Sequence, residues 1–535
     1  MDKTEWVVGK VLARQARERG NRPFLQNRDE PAVTYAEADA TANRVARGLL
    51  REGVEPGERV GVFLPNGLEI LHAWFAISRI GAVAVFINTA YRGAFLEHVL
   101  NNAGAKLILI DPEYLPRLVE LEDKLPELKL AVVTGPIPAG QALPRRIRIM
   151  EWGDLLREPP DAVDISVTYR DVGAIMYTSG TTGPSKGVLM PHAHLYLFGL
   201  GEVDNLRLVP DDIYYVCMPL FHANALFMQI YGTLIAGGKA VIVPVFSASR
   251  WLDDVRRYQA TITNTLGVMT EFIYRQPPRP QDSQHRLRLM CAVPTPAEIA
   301  ENFQRRFGVR LVEAYGMTEV NIPLYIPLDA PNRLGSCGKV YERYFEVKIA
   351  DPETDEDLPP NALGEIVVRP KEPFGFMLGY NAMPDKTVEA WRNFWFHTGD
   401  AGRMDADGYV YFADRIRDTI RRRGENLSSY EIERVLAEHP AVAEAAAIAV
   451  KSDIPGGEDE VKACIVLRPG QTLKPEALLD HCQTHMPHFA VPRYVEFVES
   501  LPKTPTQKVQ KVRLRQAGLT PGTWDREAVG YRVKR

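Results

Sequence analysis

The chain has 535 residues, 45% hydrophobic and 25% charged, with a formal net charge of −4. That length exceeds what one ordinary core serves, so two or more domains are expected. The composition is that of a soluble globular protein, and the near-neutral charge gives no support to a nucleic-acid or membrane binder. Its five cysteines (Cys217, Cys291, Cys337, Cys464, Cys482) are too widely spaced for a zinc knuckle or C-x-x-C pair. They are too few for a disulfide framework, so a reducing, cytoplasmic setting is expected.

The N-terminal MDKTEWVVGKVLARQARERG has an apolar stripe with mixed charges and no signal-peptide core. Residues 35–52 carry helical spacing. RVGVFL (59–64), AVAVFIN (82–88) and AKLILID (105–111) read as short apolar strands between helical stretches, the alternation of a parallel α/β sheet. Residues 70–91 are the strongest membrane candidate, but His72 and Arg79 interrupt them short of ~18 apolar residues. A helix followed by a strand is predicted there instead.

VGAIM (172–176) reads as a buried strand, and YTSGTTGPSKG (177–187) follows it with five serine and threonine hydroxyls, three glycines and a lysine. Such a turn exposes backbone N–H groups in a concavity suited to an anion, and glycine admits a phosphate closely. The spacing is not G-x-x-x-x-G-K-[ST], which disfavours a P-loop NTPase. The α/β pattern resumes at DIYYVCMPL (212–220), GGKAVIVP (237–244), RLRLMCAVP (286–294) and VRLVEAYG (309–316).

From about residue 335 the pattern turns to strands without helices: EVKIAD (346–351), GEIVVRP (364–370) and AGRMDADGYVYFADR (401–415), with Asp407-Gly408 as a hairpin turn. A smaller unit follows. It has a helix at SSYEIERVLAEH (428–439) with Ser429 as N-cap, strands at 442–450 and 461–468, and a helix at 474–486. The fold class is therefore α/β. A large N-terminal domain of α/β subdomains plus a β section (1–416) precedes a small, mobile α+β C-terminal domain (417–535).

YTSGTTGPSKGV resembles the phosphate loop of the acyl-adenylating, AMP-binding enzymes: acyl- and aryl-CoA synthetases, luciferases and peptide-synthetase adenylation domains. AYGMTE (314–319), FHTGD (396–400), DRIRDTIRRRGENLSSYEIE (414–433) and LPKTPTQKVQK (501–511) resemble that family's later motifs in the same order. The resemblance implies a two-step ligase. A carboxylic acid attacks the α-phosphate of Mg-ATP to give acyl-AMP and pyrophosphate, and the coenzyme A thiol then takes the acyl group. Catalysis of this kind is mostly positioning and charge stabilisation. The cofactors implied are ATP, Mg²⁺ and coenzyme A.

Residue by residue, the resemblance assigns Thr178, Ser179, Gly180, Thr181, Thr182, Gly183 and Lys186 to the β- and γ-phosphates. It lays Tyr315 and Gly316 along the adenine, Thr318 by the α-phosphate and Glu319 on the metal. Asp400 and Arg415 would hold the ribose, and Lys508 would meet the developing charge of adenylation. Arg417 falls at the family's hinge, and Arg423-Gly424 at the loop that approaches coenzyme A. The other arginines of the run 415–423 are expected on a solvated face. His222, Ala223, Asn224, Gly267, Val320 and Asn321 are assigned to the acyl pocket, with His222 near the reacting carboxylate. The two asparagines suggest a polar acyl group.

Two positions depart from the family pattern. Gln507 stands before Lys508 where glycine is common, and Ala292-Val293 in CAVPTP (291–296) stands where two glycines are common, which bears on the adenine wall. The chain is similar to the crotonobetaine/carnitine-CoA ligase branch. Two alternatives remain: an enzyme that loads a carrier protein, and a nucleotide-binding relative without catalysis. No nucleic-acid partner or integral membrane segment is expected, and the assembly state is open, a homodimer included.

Overall fold

The computed structural model describes residues 2–178, 184–295, 297–415, 419–422, 425–452, 458–503 and 509–534. The chain forms two compact units. The larger comprises Met1–Thr89, Leu100–Met176 and Gly187–Asp414, the smaller Ala90–Val99, Tyr177–Lys186 and Arg415–Arg535. Ile416 and Arg417, the expected boundary, lie outside the described residues.

The larger unit carries two parallel sheets. The first runs Gly379–Tyr380, Lys186–Pro191, Val172–Thr178, Val83–Phe86, Arg59–Phe63, Leu107–Ile110, Leu130–Val133 and Arg148–Glu151 in spatial order. From Val172–Thr178 to Arg148–Glu151 every pairing is parallel. All four residues of Val83–Phe86, Leu107–Ile110 and Leu130–Val133 are buried, as strands covered on both faces require. The predicted helix-then-strand is Leu68–Arg79 followed by Val83–Phe86. Among the described residues no helix is long and apolar enough to cross a membrane. The predicted helix at 35–52 is Tyr35–Arg51. Thr34 caps it through Oγ1, which accepts from the Glu37 N–H, while Glu37 Oε2 accepts from the Thr34 N–H at 2.8 Å.

The second sheet runs Arg310–Val312, Leu289–Val293, Ile262–Leu266, Ile213–Val216, Lys239–Ile242, Pro23–Asn27 and Val33–Thr34. All its pairings are parallel except the last. VRLVEAYG does not make the single strand its pattern suggests. It breaks at Glu313: Arg310–Val312 ends the seven-stranded sheet, and Ala314–Met317 begins an antiparallel hairpin with Asn321–Tyr325. Glu313 is buried at the break, where its carboxylate accepts the Thr295 N–H at 3.1 Å.

The β section is antiparallel: Phe345–Ala350, Gly364–Pro370, Trp395–Met404 and Trp391–Arg392, with Val410–Arg415 pairing on Trp395–Met404. The predicted turn at Asp407-Gly408 joins the last two long strands, with Gly408 at φ +82°.

In the smaller unit, Thr419–Arg422 pairs with Glu425–Ser428, and a four-stranded sheet runs Val442–Val450, Glu460–Leu467, Tyr494–Phe497 and Trp524–Asp525. Two expectations are corrected here. Ser429 is the first residue of helix Ser429–Ala437, not its N-cap, and its Oγ accepts from Lys511 Nζ at 2.6 Å. Arg422 is not on a solvated face. It is 1% exposed, bridges Glu460 at 2.6 Å and donates to the carbonyls of Phe489 and Val491. A carboxylate and two carbonyls offset the cost of burying the guanidinium.

Candidate functional site

Four parallel strands of the seven-stranded sheet end side by side, and the chain that leaves each of them carries candidate residues. Ile213–Val216 leads to Pro219, His222 and Asn224, and Ile262–Leu266 leads to Gly267. Leu289–Val293 leads to Pro294, and Arg310–Val312 to Tyr315. The carboxyl end of such a sheet is where open α/β folds bind ligands.

The hairpin after Glu313 is held tightly. A Cβ on Gly316 would lie 2.1 Å from the Asn321 carbonyl oxygen, so only glycine fits. The Tyr315 hydroxyl donates to Asp400 Oδ2 at 2.8 Å, uniting AYGMTE with FHTGD. Asp400 is buried, and its own N–H donates to Thr398 Oγ1. The neighbouring Gly399 N–H donates to Glu365 at 2.8 Å. Glu319, also buried, accepts from the Tyr380 hydroxyl at 3.1 Å. A carboxylate fixed in this way has the donor chemistry a hard cation such as Mg²⁺ takes.

A residue the sequence reading passed over ties this hairpin to the chain after the phosphate loop. His194, on helix His192–Asn205, is fully buried, and burial brings its imidazole down to about 4. The ring is therefore neutral, with one N–H. Asn321 Nδ2 lies 3.2 Å from Nδ1 and donates to the His194 carbonyl at 2.8 Å. Nδ1 also faces the Gly375 carbonyl at 3.1 Å and Nε2 the Thr318 carbonyl at 2.9 Å, so the ring's one N–H has an acceptor on either side. The Asn321 side chain is thereby committed inside the protein, and Val320 beside it is fully buried in the core. The signal was the second histidine of PHAH, just beyond the strand that Lys186 begins.

At the other strand ends, His222 is half-buried, its ring 4.6 Å from that of Phe221, and its carbonyl accepts the Leu226 N–H. Half-buried Ala223 leads into a π-helix, Asn224–Tyr231, whose first residue is half-buried and whose other seven are buried. Gly267 opens helix Gly267–Tyr274, and a Cβ there would meet the Pro294 carbonyl oxygen at 2.7 Å. Ala292 is fully buried within its strand, and Val293 is half-buried at its end.

Thr178 ends strand Val172–Thr178 and Lys186 begins Lys186–Pro191, so the phosphate-loop candidates connect two neighbouring strands. Ser179, Gly180, Thr181, Thr182, Gly183, Arg417, Arg423, Gly424, Gln507 and Lys508 lie outside the described residues, as does the side chain of Arg415. Among the described residues there is no cluster of three or more His, Cys, Asp or Glu that could hold a metal by itself.

The profile of the AMP-binding enzyme family matches residues 12–381, and that of the AMP-binding enzyme C-terminal domain matches residues 431–508. The chain belongs to the AMP-binding enzyme family. It is 31% identical over 491 residues to crotonobetaine/carnitine-CoA ligases of Salmonella paratyphi C and Salmonella typhi, covering 90% of this chain and 93% of each relative. Among solved structures it is similar to ATP-bound MatB from Rhodopseudomonas palustris, with a TM-score of 0.70 and 28% identity over 96% of this chain and 99% of that one. The anthranilate CoA ligase AuaEII in complex with anthranoyl-AMP has the same TM-score and identity, over 96% and 97%. This family member is an ATP-dependent acyl-CoA ligase that works through an acyl-AMP, and its fold is the expected large N-terminal and small C-terminal domain.

Proposed function

We propose that the chain joins a small, polar carboxylic acid to free coenzyme A. In this reading Asp400 and Arg415 take the ribose, Tyr315 and Gly316 flank the adenine, and Thr318 contacts the α-phosphate. The segment from Thr178 to Gly183, with Lys186, cradles the outer phosphates. Glu319 holds Mg²⁺, which when bound neutralises phosphate charge. His222, Ala223, Asn224 and Gly267 border the acyl group, with Val320 and Asn321 backing that wall from within. The observation that carries this reading is the Tyr315–Asp400 hydrogen bond. Two motifs far apart in sequence meet through buried groups at the carboxyl end of a parallel sheet. Adjacency of an aromatic ring and an ionised acceptor is what a nucleoside requires.

In the same reading the domains divide at 416/417, with Arg417 as pivot. Lys508 serves adenylation, and Arg423-Gly424 serves thioester formation. One domain that presents two faces in turn must rotate between the steps. The test is pyrophosphate release across carnitine, crotonobetaine, short hydroxy acids, medium-chain fatty acids and aryl acids, with and without coenzyme A. Release confined to polar acids, with thioester formed only when coenzyme A is added, is the expected result. Lys508→Ala should lower adenylation by about 10²–10³-fold. It should still convert supplied acyl-AMP and coenzyme A to thioester, and equal losses in both half-reactions would overturn the two-face reading.

A further inference from the structure

Strand Ile262–Leu266 carries three polar side chains, Thr263, Asn264 and Thr265, all fully buried. A buried amide in such a place is stable only if its donors and acceptors are used. For Asn264 the partners form a chain. The Tyr214 hydroxyl lies 2.5 Å from Asn264 Oδ1 and 2.7 Å from Glu202 Oε2. Asn264 Nδ2 donates to Asn224 Oδ1 at 3.1 Å, and Gln229 Nε2 donates to the same oxygen at 2.9 Å.

The polarity of this chain follows from counting protons. Three oxygens meet at Tyr214, and the phenol supplies one hydrogen for two contacts. With Asn264 Oδ1 turned to the phenol, the second comes from Glu202, as a neutral carboxylic acid. Its surroundings agree. Glu202 is fully buried, and burial pushes it up to about 7. The titratable groups facing it are Tyr214, Cys291 and Tyr325, each raised well above its ordinary value by burial, and none is a cation. Glu202 thus donates to Tyr214, Tyr214 to Asn264, and Asn264 to Asn224. With two donors on its oxygen, Asn224 cannot turn its amide over, and its Nδ2 is the outward end. No hydrogen bond among the described residues uses that nitrogen.

We propose that Glu202, Tyr214 and Asn264 form a positioning relay that holds Asn224 with its amide N–H turned towards the acyl group, selecting acids that carry a hydrogen-bond acceptor along the chain. This rests on the proposed function, in which Asn224 borders the acyl group. A donor fixed at that point discriminates against an isostere that lacks the acceptor, because the N–H is then desolvated without a partner. The acids selected carry a hydroxyl, oxo or ether oxygen where a hydrocarbon acid has a methyl or methylene group.

The test uses the full-length enzyme and paired acids of about four to eight carbons. 3-Hydroxybutanoate is set against 3-methylbutanoate and 4-oxopentanoate against 4-methylpentanoate, with longer pairs alike, kcat/KM being read from pyrophosphate release. The wild type should favour the oxygen-bearing member of at least one pair by about tenfold. Tyr214→Phe should bring that ratio close to one while leaving kcat/KM for the hydrocarbon acid within about threefold. Glu202→Gln, whose amide can still donate to Tyr214, should keep the ratio. As pH rises through about 7 the wild-type ratio should fall with Glu202 ionisation, and the Glu202→Gln ratio should stay flat. Turnover with no preference in any pair overturns the proposal, as does a Tyr214→Phe enzyme that loses both members equally or a Glu202→Gln ratio that tracks pH. No pyrophosphate release from any acid would instead overturn the ligase reading on which it rests.

Discussion

The two parallel sheets of the larger unit share a topology and differ in what holds them together. In the eight-stranded sheet, Leu107–Ile110 and Leu130–Val133 are apolar throughout and buried throughout. In the seven-stranded sheet, the corresponding interior contains Tyr214, Thr263, Asn264 and Thr265. Each buried polar group costs free energy unless paired, and apolar residues would fill those places more simply. Thr263 Oγ1 donates to the Tyr215 carbonyl at 2.7 Å, and Thr265 and Thr270 share a bond of 2.9 Å. One sheet is therefore specified by volume and the other by direction. The directional sheet is the one whose strand ends carry the acyl and adenine candidates.

Substitutions can break this contrast from either side. The largest effect should follow Ile108→Asn in the apolar sheet, where a fully buried position meets no polar partner. A loss of about 3–5 kcal/mol in denaturant-monitored stability is expected. A loss under 1 kcal/mol would mean that this sheet tolerates polarity too. Asp400→Ala, on the β-section strand that meets the hairpin, should shift the balance towards function. Stability should fall by about 1–3 kcal/mol as the Tyr315 hydroxyl loses its acceptor, while kcat/KM for ATP falls roughly 10²-fold, the scale of a lost bond to a charged acceptor. Unchanged ATP dependence in the pyrophosphate assay would remove Asp400 from the nucleotide site.

The smallest effect concerns pH. Burial lifts Glu202 from 4.5 to about 7, so between those values the folded chain holds a proton that the unfolded chain releases. Its contribution to stability is fully present below 4.5 and is lost as pH rises through about 7. Glu202→Gln should remove that dependence, gaining about 2 kcal/mol on the wild type between pH 5 and pH 8. Parallel stability curves for the two proteins would show that Glu202 is already ionised.

The strands of the apolar sheet were legible because burial on both faces leaves an unbroken apolar run, as in AKLILID. The family was legible from the order of its motifs along the chain, which no single motif would have carried. VRLVEAYG was misread as one strand because apolar alternation continues across Glu313, and only the bond from Thr295 shows where the chain changes sheets. Arg422 looked solvated because its acceptors are carbonyls of residues 489 and 491, which no local pattern announces. His194 and Asn264 were passed over for the same reason. Their meaning lies in partners more than a hundred residues away for His194 and on a neighbouring strand for Asn264.

The π-helix Asn224–Tyr231 gives the site a property of a different kind. Such a segment holds more residues per turn than an α-helix, bonding i to i+5. Losing one residue within it would restore α-helical register with both flanks nearly in place, because the widened turns only absorb the extra residue, and the residues inside the segment would take new facings. Asn224 is the first of those residues. A change of chain length, with no change of residue type, is then enough to turn a different side chain towards the proposed acyl position. Homologues differing by one residue between Pro219 and Gly237 are where altered acid preference should be sought first.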